Sequence, residues 1–90
     1  MSMIVTRETV AEQLTAYLNH RISLARLVDW AEDTLCDGDL DEQDAELLRD
    51  ILARVGLADV REFGLSWDDC YTFLSRLGYT VQVETLPLAV

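Results

Sequence analysis

Lysine is absent from this 90-residue chain, and its seven bases, all of them arginine, face seventeen acids for a formal charge of −10 at pH 7. Nucleic-acid affinity is built from clustered cations, so this balance argues against direct nucleic-acid binding. It equally sets the chain against anionic membrane surfaces. Long apolar runs are missing too. Half the residues are hydrophobic, but they are dispersed, and no segment reads as a bilayer span. The opening Met1-Ser2-Met3-Ile4-Val5 has no basic segment leading into an apolar core, which argues against a secretory signal and makes the cytoplasm the expected compartment.

Chemistry-bearing residues are equally sparse. His20 is the single histidine, and Cys36 and Cys70 are the only cysteines, in no C-x-x-C pattern. In a reducing compartment that favours two free thiols acting as small buried hydrophobes. A nucleophile beside a base, a glycine-rich phosphate loop and paired Glu-x-x-His motifs are all wanting. The expectation is a protein that is not an enzyme and takes no cofactor. His20, at the end of a predicted helix, reads as a charge-assisted cap.

What the chain does have is helical periodicity. Thr6 caps a predicted helix over 7–19 with Val10, Ala11, Leu14, Tyr17 and Leu18 on one stripe. Ser23 caps a second over 24–36, striped by Leu24, Leu27, Val28, Ala31 and Leu35 and stopped by Gly38 in a left-handed C′ position. Asp41 caps a third over 42–55, with Ala45, Leu48, Ile51, Leu52 and Val55 inward and Gly56 at its end. Ser66 and Asp69 form a capping-box pattern for a fourth over 67–77, striped by Trp67, Cys70, Tyr71, Leu74 and Leu77 before Gly78.

From Tyr79 the pattern changes to alternation rich in β-branched residues, so 79–84 is a strand candidate. A lone strand cannot satisfy its own backbone, so Met3 to Val5 or a second copy of the chain is its expected partner, the latter giving a homodimer through the C-terminal strand. A chain of this size buries about 64% of its unfolded surface, enough for one core. The fold class is all-α: residues 1–90 as a single acidic domain, a compact four-helix bundle with an optional terminal β-strand or ribbon.

The stretch Cys36-Asp37-Gly38-Asp39-Leu40-Asp41-Glu42-Gln43-Asp44 invites a calcium reading. With Gly38 in the sixth place of an EF-hand loop, Asp33, Asp37, Asp41 and Asp44 fall at the first, fifth, ninth and twelfth places. Leu35 falls at the third, where it supplies no ligand oxygen, and Asp44 is one methylene short of the usual closing glutamate. A helix connection accounts for the same residues without an ion. A single-site calcium-binding helix-loop-helix protein is the alternative reading, with no metal ligand assigned.

Ten acids crowd the interval from Asp29 to Asp50, against Arg49 alone. Helix starts explain Asp41, Glu42 and Asp44, but Asp29, Glu32, Asp33 and Asp37 lie late in the second helix, where the dipole disfavours negative charge. That inconsistency leaves two readings: a solvated face that keeps the chain soluble, or a docking surface for a basic protein, formed by Asp29, Glu32, Asp33, Asp37, Asp39 and Asp41 with Trp30 at its edge.

The run Ile22-Ser23-Leu24-Ala25-Arg26-Leu27-Val28-Asp29-Trp30-Ala31-Glu32-Asp33 resembles uncharacterised small acidic bacterial helical domains. Across its helical part the chain is similar in size and charge to colicin-type immunity proteins. The resemblance implies neutralisation of a toxin or nuclease by direct masking. No toxin-contact residue of such a family is matched here.

Overall fold

A computed structural model describes residues 4–58 and 64–81. Among these the chain order is strand β1 (Ile4–Val5), helix α1 (Arg7–Leu18), helix α2 (Leu24–Asp37), strand β2 (Asp39–Leu40), a 3-10 turn (Glu42–Asp44), helix α3 (Ala45–Gly56) and helix α4 (Trp67–Arg76). The fold is therefore mostly helical, with a small two-stranded sheet.

The starts follow the side chains the sequence offers. Thr6 accepts from Thr9 N–H at 3.3 Å while the Thr9 hydroxyl accepts from Thr6 N–H at 3.2 Å, a reciprocal capping box. Ser23 caps α2 by accepting from Arg26 N–H at 3.2 Å. Ser66 and Asp69 cap α4 in the same reciprocal way, at 3.1 and 3.0 Å. Asp41 caps the 3-10 turn instead of a full helix, accepting from Gln43 N–H at 3.1 Å. The predicted third helix thus becomes α-helical three residues late, at Ala45.

Two helix ends differ from expectation. Gly38 is not left-handed: it has φ −81° and ψ 148°, and its N–H donates to Thr34 O at 2.9 Å. Glycine is needed there for space, since a Cβ would lie 2.6 Å from the Thr34 carbonyl oxygen. Left-handed instead is His20, with φ 60°, the one non-glycine residue at positive φ among the described residues. Its N–H donates to Tyr17 O and the Arg21 N–H to Ala16 O, at 3.1 and 2.8 Å, which is a Schellman ending. His20 terminates α1 through its backbone; no hydrogen bond or ion pair of its side chain occurs among the described residues, so the charge-assisted cap is not what ends this helix.

The core is assembled from one stripe of each helix. Leu14 of α1, Leu27 and Ala31 of α2, Leu48, Ile51 and Leu52 of α3, and Cys70 and Leu74 of α4 are buried together. Helix α2 packs along α3, and α1 packs against α4 and α2. Phe73, outside the predicted stripe of α4, is buried as well.

The ribbon departs most from expectation. Ile4 and Val5 pair in parallel with Asp39 and Leu40, not with the C-terminal segment, and the Asp41 N–H adds a bond to Val5 O at 2.9 Å. Parallel pairing needs a long crossover, and α1 with α2 supplies it. The register sets buried Val5 beside Leu40, which packs against the core. Tyr79 to Val81 form no strand, because the chain there is turning off α4: Tyr79 N–H donates to Leu74 O at 2.9 Å around Gly78, whose φ is 94°. The rest of the strand expected over 79–84, residues 82–84, lies outside the described residues, as does any homodimer contact through it.

Candidate functional site

An α-helix turns about 100° per residue, so Asp29, Glu32, Asp33 and Asp37 of α2 share an arc of about 140°. That arc lies opposite the stripe of Leu27, Ala31 and Thr34 that is buried. All four acids are exposed. Among the described residues none of the four takes part in an ion pair or a side-chain hydrogen bond; the carboxylates that do form ion pairs, Asp44, Asp69 and Asp50, lie outside α2. Carboxylates three and four apart on a helix repel by a few tenths of a kcal/mol per pair, and α2 has no basic residue in its last turn to offset this.

The other residues assigned to this surface divide. Asp39 is exposed on β2. Asp41 is half-buried and holds the following turn through Gln43 N–H. Trp30 is half-buried and packs against the core, so it borders the acidic arc as packing rather than projecting from it.

Two neighbours are corrected. Leu35, expected in the core, is 36% exposed, while Thr34 is buried at 7%. The last turn of α2 closes on the Thr34 side, where Gly38 folds against it, and Leu35 stays at the open edge of the stripe. Cys36, expected to be buried, is an exposed free thiol on the acidic face, whereas Cys70 is buried. Burial pushes the Cys70 thiol up to about 11, with the Asp69 charge adding to it.

Two of the four carboxylates in the calcium reading, Asp41 and Asp44, have other roles. Asp41 caps a turn, and Asp44 accepts from Arg7 at 2.8 Å. Leu40 pairs with Val5 in the ribbon. No group of three or more His, Cys, Asp or Glu side chains is placed to hold a metal ion among the described residues.

The tertiary structure also makes a site that the stripes do not announce. A groove of about 870 Å³ runs between α1 and α4 and on to Val81. Glu8, Glu12 and Thr15 form part of its α1 wall; Trp67, Tyr71 and Leu74 face them from α4, and Tyr79 and Arg21 also line it. Trp67 and Tyr71 meet edge to face, with centroids 6.1 Å apart at 64°. Trp67, expected in the core, is 50% exposed. It is the first residue of α4, where the apolar stripe runs out of neighbouring turns. The available signal was its place beside the cap.

Matched against family models, curated proteins and solved structures, the chain gives no match in any of the three.

Proposed function

We propose that this chain is a small acidic protein-interaction module that docks a basic protein partner on the outer face of α2, as an immunity or antitoxin-like inhibitor would. One observation carries the reading. Asp29, Glu32, Asp33 and Asp37 are exposed on one arc, without ion pairs among the described residues, and the last three lie in the half of α2 whose end the helix dipole makes negative. Their mutual repulsion is a standing cost in the free chain, and clustered cations of a partner would relieve it. The exposed Leu35 beside them supplies apolar area at the rim. The pairings of α2 with α3 and α1 with α4 support reading the four helices as a bundle that holds this face rigid, which favours docking without rearrangement.

Charge complementarity acts chiefly on association rate and is screened by salt. The test compares the native chain with the Asp29→Lys, Glu32→Lys, Asp33→Lys triple variant as parallel baits in extracts of the native cell. A basic protein held by the native chain at low salt, released by about 0.5 M salt and not held by the variant is the expected result. A partner retained equally by both baits would sink the proposal.

A further inference from the structure

We infer that the groove between α1 and α4 binds an arginine side chain presented by a basic peptide segment. This site is separate from the acidic face of α2 and does not rest on the function proposed for that face.

The lining defines the ligand's charge. Glu8 and Glu12 lie one helical turn apart on the α1 wall, and three aromatic side chains, Trp67, Tyr71 and Tyr79, line the same groove. Aromatic faces carry a negative quadrupole and attract cations. Neither Glu8 nor Glu12 has an ion-pair partner among the described residues, so both carboxylates are available to a ligand. Trp67 and Tyr79 are 50% and 42% exposed, which leaves ring surface uncovered. Arg21, the one base among the lining residues, follows the C-terminal end of α1, well along the chain from Glu8 and Glu12. Arg7, beside Gly78 and Tyr79, is held by Asp44, so the charged residues that line the groove, Glu8, Glu12 and Arg21, leave an excess of acid.

The groove's size and the side chain's shape narrow the choice. A volume of about 870 Å³ falls in the range of sites that enclose small ligands, roughly 300–1,000 Å³, and exceeds what one ammonium ion fills. A guanidinium is planar, stacks on aromatic faces and forks two N–H donors toward a carboxylate, whereas an ammonium is a compact and strongly hydrated point charge. A wall of carboxylates beside aromatic rings suits the former. Residues 82–90, Gln82-Val83-Glu84-Thr85-Leu86-Pro87-Leu88-Ala89-Val90, contain an acid and no base, so they do not supply the cation.

The test titrates the ¹⁵N-labelled full chain with acetyl-Gly-Arg-Gly-amide and, separately, with the same peptide carrying neutral citrulline in place of arginine. The expected result is movement of the Trp67 indole N–H resonance with a dissociation constant in the millimolar range, while that of Trp30 stays in place. Citrulline should weaken binding about fivefold, and the Glu8→Gln, Glu12→Gln double variant should weaken the arginine peptide by a similar factor. Trp67→Leu, with folding checked by the remaining indole signal, should leave the backbone amide resonances of Glu8, Glu12 and Tyr71, which move with the arginine peptide in the native chain, in place. The Asp29→Lys, Glu32→Lys, Asp33→Lys variant should keep its groove affinity, so failure here and failure of the α2 proposal are distinguishable. Equal binding of the two peptides, or a motionless Trp67 signal, overturns the inference. So does a full chain that sediments as a dimer and turns monomeric in Trp67→Leu, since the groove's occupant would then be a second copy.

Discussion

The Arg7 guanidinium donates to the Asp44 carboxylate at 2.8 Å across 37 residues of sequence, tying the start of α1 to the start of α3. Its position also brings an Nη1 to within 3.8 Å of where a Cβ on Gly78 would sit, at the end of α4. The hydrogen bond to Asp44 and that charge's attraction raise the Arg7 pKa above its ordinary value. Arg7→Gln should lower the thermal midpoint at low salt and much less at about 1 M salt, where exposed charges are screened. In Asp44→Asn the further change Arg7→Gln should have little effect. A full, additive loss in the double variant would show that the two act independently.

Gly38→Ala should destabilise by about 1–3 kcal/mol, the range for forcing an extra methyl into a packed site. The backbone angles at Gly38 suit any residue, so the cost is the contact with the Thr34 carbonyl at 2.6 Å. A chemical denaturation midpoint unchanged from the native chain would contradict this account.

His20→Gly should stabilise by about 1 kcal/mol, because a side chain at positive φ carries a steric cost that glycine escapes. His20→Ala should give no such gain. Denaturation curves of the two variants separate the backbone explanation from any effect of losing the imidazole.

Ser66→Ala should cost about 1 kcal/mol at neutral pH through loss of the α4 cap. The capping bonds also lend pH dependence. Hydrogen bonds from Ser66, backbone first and side chain second, hold the Asp69 carboxyl below its usual range, and the Arg54 charge lowers it further. A folded pKa below the unfolded value means the stabilisation is present above about pH 4 and is lost as pH falls through the folded value. Asp69→Asn should therefore lower stability at pH 7 and make little difference near pH 2. An equal loss at both pH values would rule out the ionised carboxylate as the source.

A thiol-specific reagent at pH 8 should modify Cys36 at once and Cys70 only after denaturation. Cys36 is exposed and Cys70 buried, with its thiol pushed up to about 11, so little thiolate forms there. The sign for stability follows: the folded state keeps this proton longer than the unfolded one, so stability falls as pH rises from about 8.5 toward 11. Two thiols reacting at equal rates in the native chain would refute the assignment.

Helices were legible because their signals are local. Thr6, Ser23 and Ser66 cap where a short side chain precedes an apolar stripe, and Leu27, Ala31, Leu48, Ile51, Leu52 and Leu74 are buried as a period near 3.6 requires. The exposure of Asp29, Glu32, Asp33 and Asp37 followed from the same geometry, since they lie on the opposite side of that stripe.

Spacing gives direction around a helix and says nothing of what waits there. Leu35 and Trp67 point along apolar stripes yet stay open, since each sits in a terminal turn where no neighbouring element covers it. The pairing of Val5 with Leu40 and of Arg7 with Asp44 joins residues more than thirty positions apart, which no local pattern encodes. The groove of Glu8, Glu12, Trp67 and Tyr71 exists only because α4 lies against α1. Sequence by itself determined the helices, the caps at Thr6, Ser23 and Ser66, and the exposure of the acidic face. Tertiary packing decided which ends of those helices remain uncovered, because burial depends on what the rest of the chain brings alongside.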